Sequence, residues 1–99
     1  HILDMISFFD KNSKLLLVLV KWNLIELIAK YNTEIVLSYT QRYKNKFIRE
    51  HAFYFISYYH SSLFNICTCW ITNGKQESIE SLFKIIKEFE KIKFIQKAI

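Results

Sequence analysis

From His51 to Gly74 the chain runs 24 residues without an Asp, Glu, Lys or Arg. So long an uncharged stretch is either a membrane span or a helix hidden from water over most of its circumference. A span wants about 20 predominantly apolar residues and basic flanking loops. Here His, Ser, Asn and Thr fill nine positions and Tyr three more, so the sequence predicts no membrane helix. The remaining solution is a central helix, apolar nearly all round and buried on both sides. A 99-residue chain offers few such places, and a second copy of the chain would cover the other side.

The lone glycine, Gly74, and the absence of proline argue against turn-rich sandwiches and barrels. Helical spacing recurs elsewhere. In "HILDMISFFDKNSK", Ile2, Met5, Ile6 and Phe9 fall on one stripe, and "DKNS" supplies turn and cap residues. The run "KLLLVLVKW" follows, and then Leu24, Ile28, Tyr31, Ile35 and Tyr39 step as one buried helix face. The pattern fades in "QRYKNK", which reads as a connection into the long helix "FIREHAFYFISYYHSSLFNICTCWITNG". Gly74 is placed to end that helix in the left-handed conformation, and Ser78 to cap the next. The last helix carries Ile79, Leu82, Phe83, Ile86 and Phe89 on one side, with Lys84, Lys87, Glu88 and Lys91 mostly opposite. The predicted fold is therefore all-α: one domain, residues 1–99, built as an antiparallel bundle of about four to five helices.

Chemistry-bearing patterns are few. Net charge is +5, with nine acids mixed among 14 Lys and Arg. The densest basic run, "QRYKNKFIRE" with Arg42, Lys44, Lys46 and Arg49, fits a solvated connection better than a phosphate-contacting patch. Cys67 and Cys69 lie about 200° apart on a helix, so they neither pair nor share a metal, and buried reduced thiols are expected. That usage fits a cytoplasmic protein, and no signal peptide is visible. The chain does not begin with methionine and reads as a piece of something longer. There is no glycine-rich phosphate loop, metal cluster or paired carboxylates, so neither enzymatic activity nor a cofactor is expected. His60 and Cys67 share a face but lie about 10 Å apart along the axis, too far for direct proton transfer.

At "CWITNGKQESIESLFKIIKEF" the chain resembles the C-terminal domain of TetR-family transcriptional regulators. The matching residues are Trp70, Gly74, Lys75, Glu77 and Ser78, followed by Leu82, Ile85 and Ile86. The specific part spans about Phe53 to Phe89, and "ILDMISFFDKNSKLLLVLV" extends it upstream more weakly. Ile79 stands where the family often has proline, and Ser61 and Ser62 where it tends to have glycines or other small residues. Thr68 and Cys69 replace the charged residue common before the tryptophan. The resemblance implies that the last two helices of each subunit form an intersubunit four-helix bundle. It also implies a pocket for a small effector whose occupancy controls DNA binding by an N-terminal helix-turn-helix head. No such head is found in these residues, so nucleic acid would be reached only through it.

For the pocket, the candidates are Trp22, Tyr31, Tyr39, Phe55, Tyr59 and His60, each of which could equally be ordinary core. His60 is the sharpest, and a satisfied structural histidine is the favoured reading. For a homodimer interface the candidates are Ser62, Asn65, Ile66 and Cys69 from the uncharged helix, with Phe83, Ile86 and Glu90 from the last. Trp70 faces either its own core or the two-fold axis, its own core being preferred. The function so predicted is the dimerising, effector-binding domain of a TetR-like regulator. A small helical interaction module without a ligand is the alternative.

Overall fold

The computed structural model describes residues 2–39 and 42–92; the Tyr39 side chain lies outside the described residues. Six helices follow one another: α1 (Ile2–Lys11), α2 (Ser13–Lys21), α3 (Ile25–Tyr39), α4 (Lys46–Glu50), α5 (Ala52–Thr72) and α6 (Ile79–Ile92). Among the described residues there is no strand, and no helix is long and apolar enough to cross a membrane. The fold is the expected all-α bundle, with the helix break expected at "DKNS" and a further one that the sequence pattern did not announce.

The first break is a kink. The α1 ladder continues into Asn12, whose backbone N–H donates to Phe8 O, and the α2 ladder starts from Asn12 O. Its side-chain Nδ2 donates to the same Phe8 carbonyl at 2.9 Å, closing the end of α1 within one residue. The second break falls at His51, which separates a single helical turn from α5. Asn45 caps that turn through Oδ1, accepting from the Ile48 N–H at 3.1 Å. What reads as one long helix from Phe47 is therefore two.

Two other helix ends share one solution. At the end of α5 the Lys75 N–H reaches back to Trp70 O and the Gly74 N–H to Ile71 O, with Gly74 at φ +82°. This paired return is the Schellman motif, and it needs a left-handed residue at Gly74. At the end of α2 the same pair of bonds joins Leu24 to Leu19 and Asn23 to Val20, with Asn23 at φ +59°. Asparagine tolerates that conformation better than most side chains. Ser78 then caps α6 as predicted, its Oγ accepting from the Ser81 N–H at 3.1 Å.

The core is assembled on α5. Leu63, Phe64, Cys67, Trp70 and Ile71 meet Ile2, Ile6 and Phe9 of α1, Leu16 of α2, and Leu82 and Ile86 of α6. Phe9 is fully buried and sits edge-on against Phe64, ring centroids 4.9 Å apart. Trp70 faces its own core, 5% exposed, and its indole N–H donates to Glu77 O at 3.0 Å. That bond fixes the turn from which α6 runs back, lying against α1 and antiparallel to α5. Lys75, set by the same turn, bridges to Asp10 at 3.0 Å near the α1–α2 kink.

Two expectations are corrected by packing. The buried face of α3 is not Leu24, Ile28, Tyr31, Ile35 and Tyr39: Leu24, Tyr31 and Ile35 are exposed, Tyr31 by 63%. The half-buried residues are Ile25, Ile28, Ala29, Asn32, Thr33, Val36 and Leu37, so the inner face is turned from the predicted one. Apolar residues occupy two adjoining faces of α3, and the face carrying the small Ala29 is the one set along α5. Cys67 is buried, which pushes its thiol up to about 12, but Cys69 is exposed rather than buried. Within one chain α5 is covered on one side only. Its other stripe, Tyr54, Tyr58, Ser61, Ser62, Asn65 and Cys69, lies in solvent.

Candidate functional site

Beside the N-terminal half of α5 the helices part to leave an open groove of about 690 Å³. Val36 of α3, Tyr43 of the connection, Ile48 of α4, Phe55 and Tyr59 of α5 and Glu90 of α6 line it. Lys44 and Asn45 contribute its polar margin. A volume of this size falls within the range of small-molecule sites, which are mostly apolar with a few placed polar groups.

The groove exists because the connection after α3 is held open. Arg49 is half-buried and its Nη1 donates to Tyr43 O at 2.5 Å and Lys44 O at 2.8 Å. These charge-assisted bonds fix the strand of chain that carries Tyr43. Lys46 pairs with Glu50 at 3.7 Å, one turn on. Arg49 and Lys46 of this basic run are thus engaged locally, as in a solvated connection.

The aromatic wall has a definite arrangement. Phe55 and Tyr59, one turn apart on α5, stack at 5.4 Å with planes 14° apart. Tyr43 meets Phe55 edge-on, 82° apart at 5.8 Å. The Tyr59 hydroxyl donates to Glu90 Oε2 at 2.9 Å, linking the groove wall to the end of α6. Burial first, then the hydrogen bond to Glu90 and the carboxylate's charge, push the Tyr59 phenol up to about 12. Tyr59 is therefore a fixed donor at neutral pH. Glu90 also holds Lys87 through Oε1 at 3.3 Å, an exposed pair one turn apart.

Of the candidate ligand residues, Phe55 and Tyr59 line the groove, and Trp22, Tyr31 and His60 do not. Trp22 is 66% exposed in the turn after α2, and Tyr31 stands on the outer face of α3. His60 is buried on the core side of α5, where desolvation lowers its pKa and keeps it neutral. The Tyr39 side chain lies outside the described residues. Sequence reading missed Val36, Tyr43 and Ile48. Tyr43 alone carried a signal, as an aromatic residue within a charged connection.

The interface candidates divide by burial. Ser62, Asn65 and Cys69 share the exposed stripe of α5, and Ile66 is half-buried beside the core. Ile86, however, is 2% exposed within its own chain, so it offers no surface to a partner. Phe83 packs partly on the same core. Glu90, chosen as an interface residue, turns instead toward Tyr59 of its own chain. No family model, curated protein or solved structure matches the chain.

Proposed function

We propose that this chain is the regulatory domain of a TetR-like transcriptional regulator, a dimerising helical unit that responds to a small, largely apolar molecule. The observation that carries the proposal is the aromatic groove, open between α3, the α3–α4 connection, α5 and the end of α6. A ligand there touches elements on both sides of the parting, so it binds one relative placement of them better than another. The second support is the exposed, charge-free stripe Ser61, Ser62, Asn65 and Cys69, beside which a second copy would lie. Dimer geometry then couples ligand occupancy to the separation of two DNA-reading modules that lie outside these 99 residues. The cytoplasm is the compartment this role requires, and no chemistry is assigned to the chain.

Phe53, Tyr54 and Tyr58 favour a second reading, an interaction module whose function is its assembly, because all three stand well exposed along α5. Light scattering on the eluting chain and titration with the neutral fluorophore N-phenyl-1-naphthylamine separate the two. A dimer that binds one fluorophore per chain, with binding weakened about tenfold by Phe55→Ala, supports the regulator. A dimer that binds none leaves the interaction module. A monomer at tens of micromolar eliminates both.

A further inference from the structure

The groove joins three features: a right-angled aromatic corner, a carboxylate in its lining, and an opening to solvent. Tyr43 and Phe55 form the corner, their planes 82° apart. Glu90 stands at the same groove, oriented by Tyr59. Aromatic faces are negative, so ring faces turned toward a cleft attract a cation lying against them. A carboxylate beside such a cleft supplies the full countercharge.

We propose that the groove selects organic cations with an apolar body, a substituted ammonium group lying against Tyr43 and Phe55 with Glu90 as its counter-ion. The proposal deepens the ligand reading above and rests on it. Of the cations around the groove, Arg49 is committed to the Tyr43 and Lys44 carbonyls, while Lys87 and Lys44 compete for the same place. Lys87 reaches Glu90 Oε1, but it is half exposed and paired over a single turn, so an incoming cation displaces it to water at small cost. Lys44 lines the margin with an exposed side chain, and its flexible stem lets the ammonium remain in solvent.

The test compares a cation with its carbon isostere on the whole chain by calorimetric titration. Benzyldimethyl(2-hydroxyethyl)ammonium and 3,3-dimethyl-4-phenylbutan-1-ol have the same shape and differ only in charge. The expected result is a preference for the cation of about tenfold, the scale of one desolvated cation–π contact. Glu90→Gln removes most of that preference by weakening the cation alone, and 0.5 M salt reduces it in the wild type. Glu88→Gln removes a carboxylate of the same helix that lies outside the groove, and it keeps the preference, which separates the Glu90 charge from the general charge of α6. Equal binding of the two ligands overturns the cation proposal and leaves the groove as a neutral site. So does a preference that survives Glu90→Gln or vanishes in Glu88→Gln. If neither ligand binds, the ligand-responsive function falls as well.

Discussion

At the C-terminal end of α5, Leu63, Phe64, Cys67, Trp70 and Ile71 are closed into the core; at its N-terminal end, Phe53, Tyr54 and Tyr58 stand in solvent while Phe55 and Tyr59 line an open groove. Both halves are uncharged and rich in aromatic residues. The difference lies in what meets them. The closed end receives α1 and α6, whose inner stripes are large and apolar, and is locked by the Trp70–Glu77 bond and the Gly74 turn. The open end faces α3 across Asn32 and Thr33, and a short connection braced by Arg49. Apolar composition makes burial favourable, but complementary neighbours decide where it happens.

Mutations of one phenylalanine at each end break the comparison most directly. Phe9→Ala empties a fully buried ring site, and its cost of about 3–5 kcal/mol is comparable to the whole stability of a small domain. Denaturant melts followed by circular dichroism should show the cooperative transition largely lost. Phe55→Ala, half-buried at the groove, should cost about 1 kcal/mol while removing ligand binding. Comparable losses at both sites would mean that the groove is structural core.

Alkaline pH probes both ends at once. The Cys67 thiol and the Tyr59 phenol are both raised to about 12 in the folded chain. Below the unfolded values, 9.0 for the thiol and 10.0 for the phenol, both states hold the proton and stability is intact. Between those values and about 12 only the unfolded chain releases it, so stability falls as pH rises. By pH 12 the buried thiol contributes a loss on the order of 3 kcal/mol. Cys67→Ala should remove the part of the decline that begins near pH 9, and Tyr59→Phe the later part. His60 sets the opposite limb. Its folded pKa is lowered, so stability present above the ordinary value of 6.5 is lost as pH falls below it. Melting temperature measured from pH 4 to 7 should show that decline, and His60→Leu should flatten it.

Smaller effects test the locks at the closed end. Gly74→Ala places a side chain at φ +82° where nothing lies within 4 Å of the new carbon, so the penalty is purely conformational. It should cost about 1–2 kcal/mol, read from the denaturant midpoint. Asn23→Ala, at the matching turn after α2, should cost somewhat less. Lys75→Ala removes the exposed bridge to Asp10 and should cost about 0.5 kcal/mol, vanishing in high salt.

Much of the closed end is legible in the chain. The stripes Ile2–Met5–Ile6–Phe9 and Ile79–Leu82–Phe83–Ile86 lie inward, although Phe89 at the end of the second is exposed. The Gly74 stop and the Ser78 cap depend on local backbone chemistry and form where expected. The groove was only half visible. Phe55 and Tyr59 belong to a pattern, but Val36, Tyr43 and Ile48 reach it from three separate elements, and no spacing rule joins them.

The sequence by itself determined the all-α class, the two amphipathic partners of α5 and the turn between α5 and α6. Each depends on interactions among residues a few positions apart, which periodicity and capping record directly. Tertiary structure decided which face of α3 turns inward, that Glu90 is a partner of Tyr59, and that one end of α5 stays open. Those outcomes depend on how helices with more than one apolar face fit together, and fit is a property of shapes in space that no order of residues displays.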